Sequence, residues 1–281
     1  MPVAFWYLAA GTLGLVVGSF LNVVIARLPG MLRFHWEAEC ADATGRPLDR
    51  PAPPSLTHPR SRCPSCSAPV RARDNIPLLS YLLLRGRCRD CGAVIGLRYP
   101  VVEALGALLA MLCVWRFGPG AQAALAAIFC WMLLAAAIID LDTQLLPDSL
   151  TLPLLWLGLL ANTRDLFAPL ESAVLGAAFG YLVLWLVFQT FRLLTGKEGM
   201  GYGDFKLVAA LGAWLGWQQL PLVILLGSVA GALIGTLMLK RAAADRATPI
   251  PFGPFLVLAG LVAMFAGPEI TNAYLNWSGL R

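Results

Sequence analysis

Charge is scarce in this 281-residue chain: 13% of residues are Asp, Glu, Lys or Arg, while 58% are hydrophobic. Soluble domains carry about 25% charge, so a water-soluble globular enzyme is excluded first. Histidine is scarcer still. The two present, His35 and His58, both lie outside the apolar runs. No HExxH is present, which excludes a zinc protease of that kind. No GxSxG is present either, and no histidine stands in an apolar run to activate an intramembrane serine. A glycine-rich dinucleotide turn in a strand–helix setting is also missing, so a Rossmann cofactor domain is absent. The first ten residues, MPVAFWYLAA, lack the positive n-region of a cleaved signal peptide, and the first apolar run is expected to stay as an anchor.

What is present is apolar sequence in long blocks. Eight stretches read as helices, near 5–26, 100–116, 121–139, 149–161, 170–191, 205–217, 219–239 and 252–267. They are continuously apolar, not alternating, so a helical bundle is expected and a barrel is not. The fold class is therefore all-α, a polytopic membrane bundle of about eight transmembrane helices with a small cytoplasmic zinc-binding loop. It divides into a first transmembrane helix (1–26), a cytoplasmic loop (27–99) and a transmembrane bundle (100–281). The fourth and sixth stretches are the shortest.

Residues 27–99 hold 12 of the 21 basic residues, all of them Arg. The positive-inside rule places this loop in the cytoplasm and the N-terminus outside. Alternate crossings then put 140–148, 192–204 and 240–251 inside, where Arg192, Lys197, Lys240, Arg241 and Arg246 stand. The net charge of +5 follows from this topology and from attraction to anionic inner-leaflet lipid, not from nucleic-acid binding.

Within the loop, residues 37–60 are rich in Pro, Ala and charge and read as a loosely ordered connection. Residues 61–92 contain SRCPSC, twenty-one further residues, then CRDC. Two CxxC pairs predict one tetrahedral zinc ion held by Cys63, Cys66, Cys88 and Cys91. Disulfides are disfavoured in a reducing cytoplasm. Of the remaining cysteines, Cys113 and Cys130 fall within helices as small apolar core residues.

Ionisable residues in apolar segments are costly, and the few here gather at one face: Glu103, Asp140, Asp142, Asp148 and Asp204. Asp140 and Asp142 are about 200° apart around a helix, so only one can face the bundle, and Asp140 follows the unbroken run AAAII. Asp148 reads as a helix N-cap. Asp204 could be a cap too, but GMGYG before it is backbone that another chain can approach closely. Glu103 could pair with Arg98 or Lys206. Two carboxylates sharing a proton can activate water and protonate a leaving amine. A proton-coupled transporter with a zinc-stabilised loop is the rival reading of the same carboxylates.

Six stretches together resemble one family. They are GSFLNVVIARLP (18–29), the two CxxC pairs with NIPLLSYLLLRGRC (75–88), RYPVVE (98–103), IDLDTQLLPDSLTLPLLWLGLL (139–160), GMGYGDFKL (199–207) and PFGPF (251–255). The chain is similar in these to the type IV prepilin peptidases, the leader peptidases and N-methyltransferases of pilus and type II secretion systems. The resemblance implies an aspartic endopeptidase of the bacterial inner membrane whose carboxylates are Asp140 and Asp204. It implies cleavage of prepilins and pseudopilins at the cytoplasmic face, then methylation of the new N-terminal amine with S-adenosylmethionine. Two Asp side chains offer no means of holding that cofactor. It is expected between the cysteine loop and the inner membrane face, with Glu103 and Gly86 as candidate contacts.

Overall fold

The computed structural model describes residues 2–279 apart from 46, 47, 49, 198 and 242–250, with backbone only at 238–241. Each of the eight apolar stretches is helical. The described helices are α1 (Val3–Thr44), α2 (Leu79–Leu83), α3 (Arg98–Phe117), α4 (Ala121–Thr143), α5 (Asp148–Asn162), α6 (Leu170–Thr195), α7 (Tyr202–Leu215), α8 (Leu220–Arg241) and α9 (Gly253–Trp277). Six helical segments are long and apolar enough to cross a membrane. The other two, α5 with 15 residues and α7 with 14, reach roughly 21–23 Å at 1.5 Å per residue, short of a bilayer core of about 30 Å. The expectation of eight crossings is therefore approximate, and the two shortest stretches are the ones that fall short. Arg246 and most of the expected inner connection 240–251 lie outside the described residues.

The chain forms two compact units, Met1–Trp131 and Met132–Arg281, with the division inside α4. In the first unit α1 and α3 run antiparallel, and glycine sets their spacing. A Cβ on Gly14 would lie 2.6 Å from the Cα of Ala107, and one on Gly18 would lie 2.7 Å from the Cα of Glu103. Backbones in this contact touch directly, which is how helices associate without a hydrophobic driving force. α1 does not end near residue 26. It continues to Thr44, so residues 37–44, expected to be loose, are helical. Pro29 does not stop it, and Glu37, Ala38, Glu39 and Ala41 are sound helix formers on the exposed extension.

In the second unit α7 is the central helix, with every residue from Phe205 to Leu215 buried except the half-exposed Lys206. α6 lies antiparallel to it. Gly176 and Gly212 face each other so closely that a side chain on either would enter the other's backbone, and a Cβ on Gly180 would lie 2.7 Å from the carbonyl oxygen of Val208. α5 runs parallel to α7. Gly158 accepts the indole of Trp214, whose Nε1 donates to the carbonyl of Leu154 at 2.8 Å. Asn162, fully buried, closes this end of the unit. Its Nδ2 donates to the carbonyls of Ala213 and Trp214, and its Oδ1 accepts from the amides of Phe167 and Ala168. One amide side chain thus satisfies four backbone groups left over where α7 ends and α6 is about to begin.

Replacing Asn162 by Leu leaves those four groups without partners in an apolar surround. We expect a loss on the order of 3 kcal/mol, read as a lower midpoint of thermal unfolding in detergent. Gly212→Val should cost at least as much, because α6 cannot withdraw without uncovering α7.

Candidate active site and metal centre

Among the described residues of the second unit, the buried acidic ones are Asp140 and Asp204, each about one-twentieth exposed. Asp140 stands one turn before the end of α4, and Asp142 on the opposite side of the same helix is exposed. Asp204 is in the first turn of α7. Its Oδ2 accepts from the amide of Gly201 at 3.3 Å, folding back over the helix start. Asp140 is met from elsewhere: its Oδ2 accepts the amide of Gly253, the first residue of α9, at 3.0 Å. The backbone supports of the two carboxylates meet at one side chain. Leu146 lies between their supports. A Cβ on Gly203 would lie 2.6 Å from its Cβ, and one on Gly253 would lie 3.2 Å from its Cδ1. Gly203 is therefore absorbed by internal packing, while Gly201 borders open space.

Asp148 is not an N-cap. Pro147 occupies that position, and Asp148 at the first helical residue binds Lys206 Nζ with both oxygens at 2.7 Å. That pair joins the starts of α5 and α7. It also takes Lys206 away from the role of partner to Glu103, whose Oε2 instead accepts the amide of Leu78 at 2.8 Å.

The four loop cysteines come together, with their sulfurs all within 4.8 Å of one another. Two equal knuckles deliver them. In the first, Cys63 N donates to Ala68 O and Ser67 N to Cys63 O. In the second, Cys88 N donates to Ala93 O and Gly92 N to Cys88 O. The fourth residue after each leading cysteine turns left-handed, Ser67 at φ 58° and Gly92 at φ 71°. Zn–S bonds of about 2.3 Å in a tetrahedron set sulfurs roughly 3.8 Å apart, so the cluster fits such an ion. The amides of Cys66 and Ser65 point at the Cys63 sulfur and bring its thiol down to about 6, readying it as a thiolate ligand. Arg89 grips Asp74 with Nε and Nη2, tying the second knuckle to the turn before α2. Cys113 and Cys130 are buried in helices, as expected, with their sulfurs 3.8 Å apart.

Both knuckles wall a cavity of about 610 Å³ in the first unit, which Glu103, Asn22, Arg27, Tyr81 and Tyr99 also line. Gly86 does not line it. With φ 65° and Tyr81 Oη 2.8 Å from where its Cβ would be, Gly86 braces the Tyr81 ring from behind.

Two family models match the chain. Residues 12–117 match the bacterial peptidase A24 N-terminal domain, and residues 127–236 match the type IV leader peptidase family. The chain is 54% identical to the prepilin leader peptidase/N-methyltransferase of Pseudomonas aeruginosa, over all of this chain and 97% of that protein. The chain belongs to the type IV leader peptidase family. The enzyme of the same name from Stutzerimonas stutzeri is 54% identical over 99% of the chain and 96% of its own length. That from Legionella pneumophila is 48% identical over 97% and 96%. No solved structure matches the chain.

Two contacts were not legible from motifs alone. The Gly253 amide on Asp140 spans 113 residues of sequence, and PFGPF carries no chemical group that points to it. The Glu103–Leu78 bond pairs a carboxylate with a backbone group, which sequence does not display.

If the cysteine cluster binds zinc, purified protein should contain about one zinc per chain. Cys63→Ser with Cys88→Ser should lose it, and residues 61–95 should then be cut by protease within the otherwise intact protein. Full metal content in that double variant would remove these sulfurs from the site.

Proposed function

We propose that this chain is a membrane aspartic endopeptidase that cleaves the leader from prepilins and pseudopilins and then N-methylates the new terminus with S-adenosylmethionine. The single observation that carries the reading is the pair of buried carboxylates on α4 and α7, each held by a backbone amide. Relatives at about half identity over their whole length, named prepilin leader peptidase/N-methyltransferase, support the substrate and the second activity.

Two carboxylates facing one substrate would hold one proton between them, because like charges in an apolar site resist simultaneous ionisation. The ionised one takes a proton from water as the water oxygen attacks the scissile carbonyl. The protonated one donates to the carbonyl oxygen. Collapse of the tetrahedral intermediate breaks the C–N bond and sends a proton to the amine. No cation is needed at the dyad, and Lys206 is occupied by Asp148.

Methylation needs a separate chamber. The cavity of the first unit has the volume of a small-molecule site and a mixed lining that fits the donor. Arg27 would face its carboxylate, while Glu103 and the two tyrosines would face its amino and ring groups. S-adenosylmethionine, when bound, supplies a methyl group to the new amine. The chain's own part is to hold that amine unprotonated and exclude water. Gly86 contributes by fixing Tyr81. Zinc in the cysteine cluster is structural and keeps the two knuckles closed on the cavity. The topology is that of a multi-pass protein of the bacterial inner membrane, with its N-terminus outside, the active site at the cytoplasmic face and anionic lipid around the arginine-rich loop. A transporter reading expects helices broken at mid-membrane, and the long helices described here are unbroken there.

The test is purified protein in bilayers with a prepilin and labelled S-adenosylmethionine, reading cleavage and methyl transfer separately. Asp140→Asn and Asp204→Asn should each lower cleavage by roughly 10²–10⁴-fold and leave methylation of pre-cleaved pilin intact. Val23→Trp, which fills the cavity wall, should do the reverse. Substantial cleavage by Asp140→Ala would overturn the dyad.

A further inference from the structure

The dyad is not symmetric, and the asymmetry comes from α9. Asp140 Oδ2 lies 3.0 Å from the amide of Gly253. That amide belongs to the start of a 25-residue helix with no acidic residue in its first turn and no side-chain cap. Its N-terminal amides carry partial positive charge and find their anion in a residue 113 positions away. The approach is as close as backbone allows, since a Cβ on Gly253 would lie 2.6 Å from Oδ2 and 3.2 Å from Cγ of Asp140. Asp204, itself in the first turn of α7, has the longer bond, 3.3 Å, from Gly201 at the N-cap of its own helix. Other described charged groups stand near the ends of these helices. Asp142 is exposed, Lys206 is bound by both oxygens of Asp148, and Arg192 and Lys197 are exposed.

We propose that Gly253 is a positioning residue that holds Asp140 as the ionised member of the dyad, so that Asp204 carries the dyad's proton. This rests on the peptidase reading above. Asp140 then takes the proton of the attacking water as the new C–O bond forms, and Asp204 protonates the carbonyl oxygen. On collapse, Asp140 returns its proton to the leaving nitrogen as the C–N bond breaks. Asp204 recovers its own from the hydroxyl that becomes the carbonyl. Both groups end as they began. Glycine is required at 253 because any side chain would push the amide off the carboxylate.

Gly253→Ala tests the positioning, with Gly260→Ala as its control two turns along the same helix, where the atoms nearest the added methyl belong to the Leu211 side chain and not to a carboxylate. We expect Gly253→Ala to lower kcat by roughly ten- to a hundredfold with KM little changed. The acid limb of its pH–rate profile should move up by roughly one unit. Gly260→Ala should change thermal stability without moving the profile. In wild-type protein carrying ¹³C at Asp carboxyls, with signals assigned from the Asn variants, Asp140 should ionise at lower pH than Asp204. The reverse order, or a Gly253→Ala profile equal to that of Gly260→Ala, overturns the proposal. Undiminished cleavage by both Asp→Asn variants would instead sink the dyad, and absence of cleavage by the wild-type protein would sink the peptidase reading itself.

Discussion

A carboxylate in an apolar bundle has no water to turn to, and the second unit is organised around that constraint. Each buried acid is met by a backbone amide at a helix start, Asp204 by Gly201 and Asp140 by Gly253. Helix starts are the places where free amides exist. Bringing two of them to one spot requires α7 and α9 to begin at the same end of the unit as α4 finishes. The chain order delivers this.

Close helix contact makes the arrangement rigid. α7 is enclosed so completely that its neighbours can touch it only where side chains are missing or interlock, at Gly176, Gly180 and Gly158. Asn162 fixes the far end with four hydrogen bonds. The carboxylate at one end of α7 and the polar clamp at the other are thus parts of one stiff element, which suits a reaction that depends on sub-ångström placement.

Much of this was legible in the sequence, for reasons that differ by residue. The helices declare themselves because lipid admits almost no other apolar structure. Asp140 is separable from Asp142 because a helix has a fixed rotation per residue, and the buried and exposed positions of the two follow it. The cysteines announce themselves by spacing. The length of α1 was hidden because its extension is polar and resembles linker. The partner of Asp148 was hidden because N-cap preference is local, whereas Lys206 reaches it from 58 residues away. Gly253 was hidden most deeply, since an amide leaves no mark on its residue type.

The two cysteine knuckles have a wider consequence. Each supplies half of a metal site and half of a wall, and α2 with Tyr81 is strung between them. If an ion binds the four sulfurs, it ties both halves of the chamber wall together at once. The amides that meet the buried carboxylates belong to the second unit itself. If the methyl donor occupies that chamber, a zinc-starved cell would go on trimming its pilins while ceasing to cap them, and the filament's first residue would record the metal supply at the time it was made.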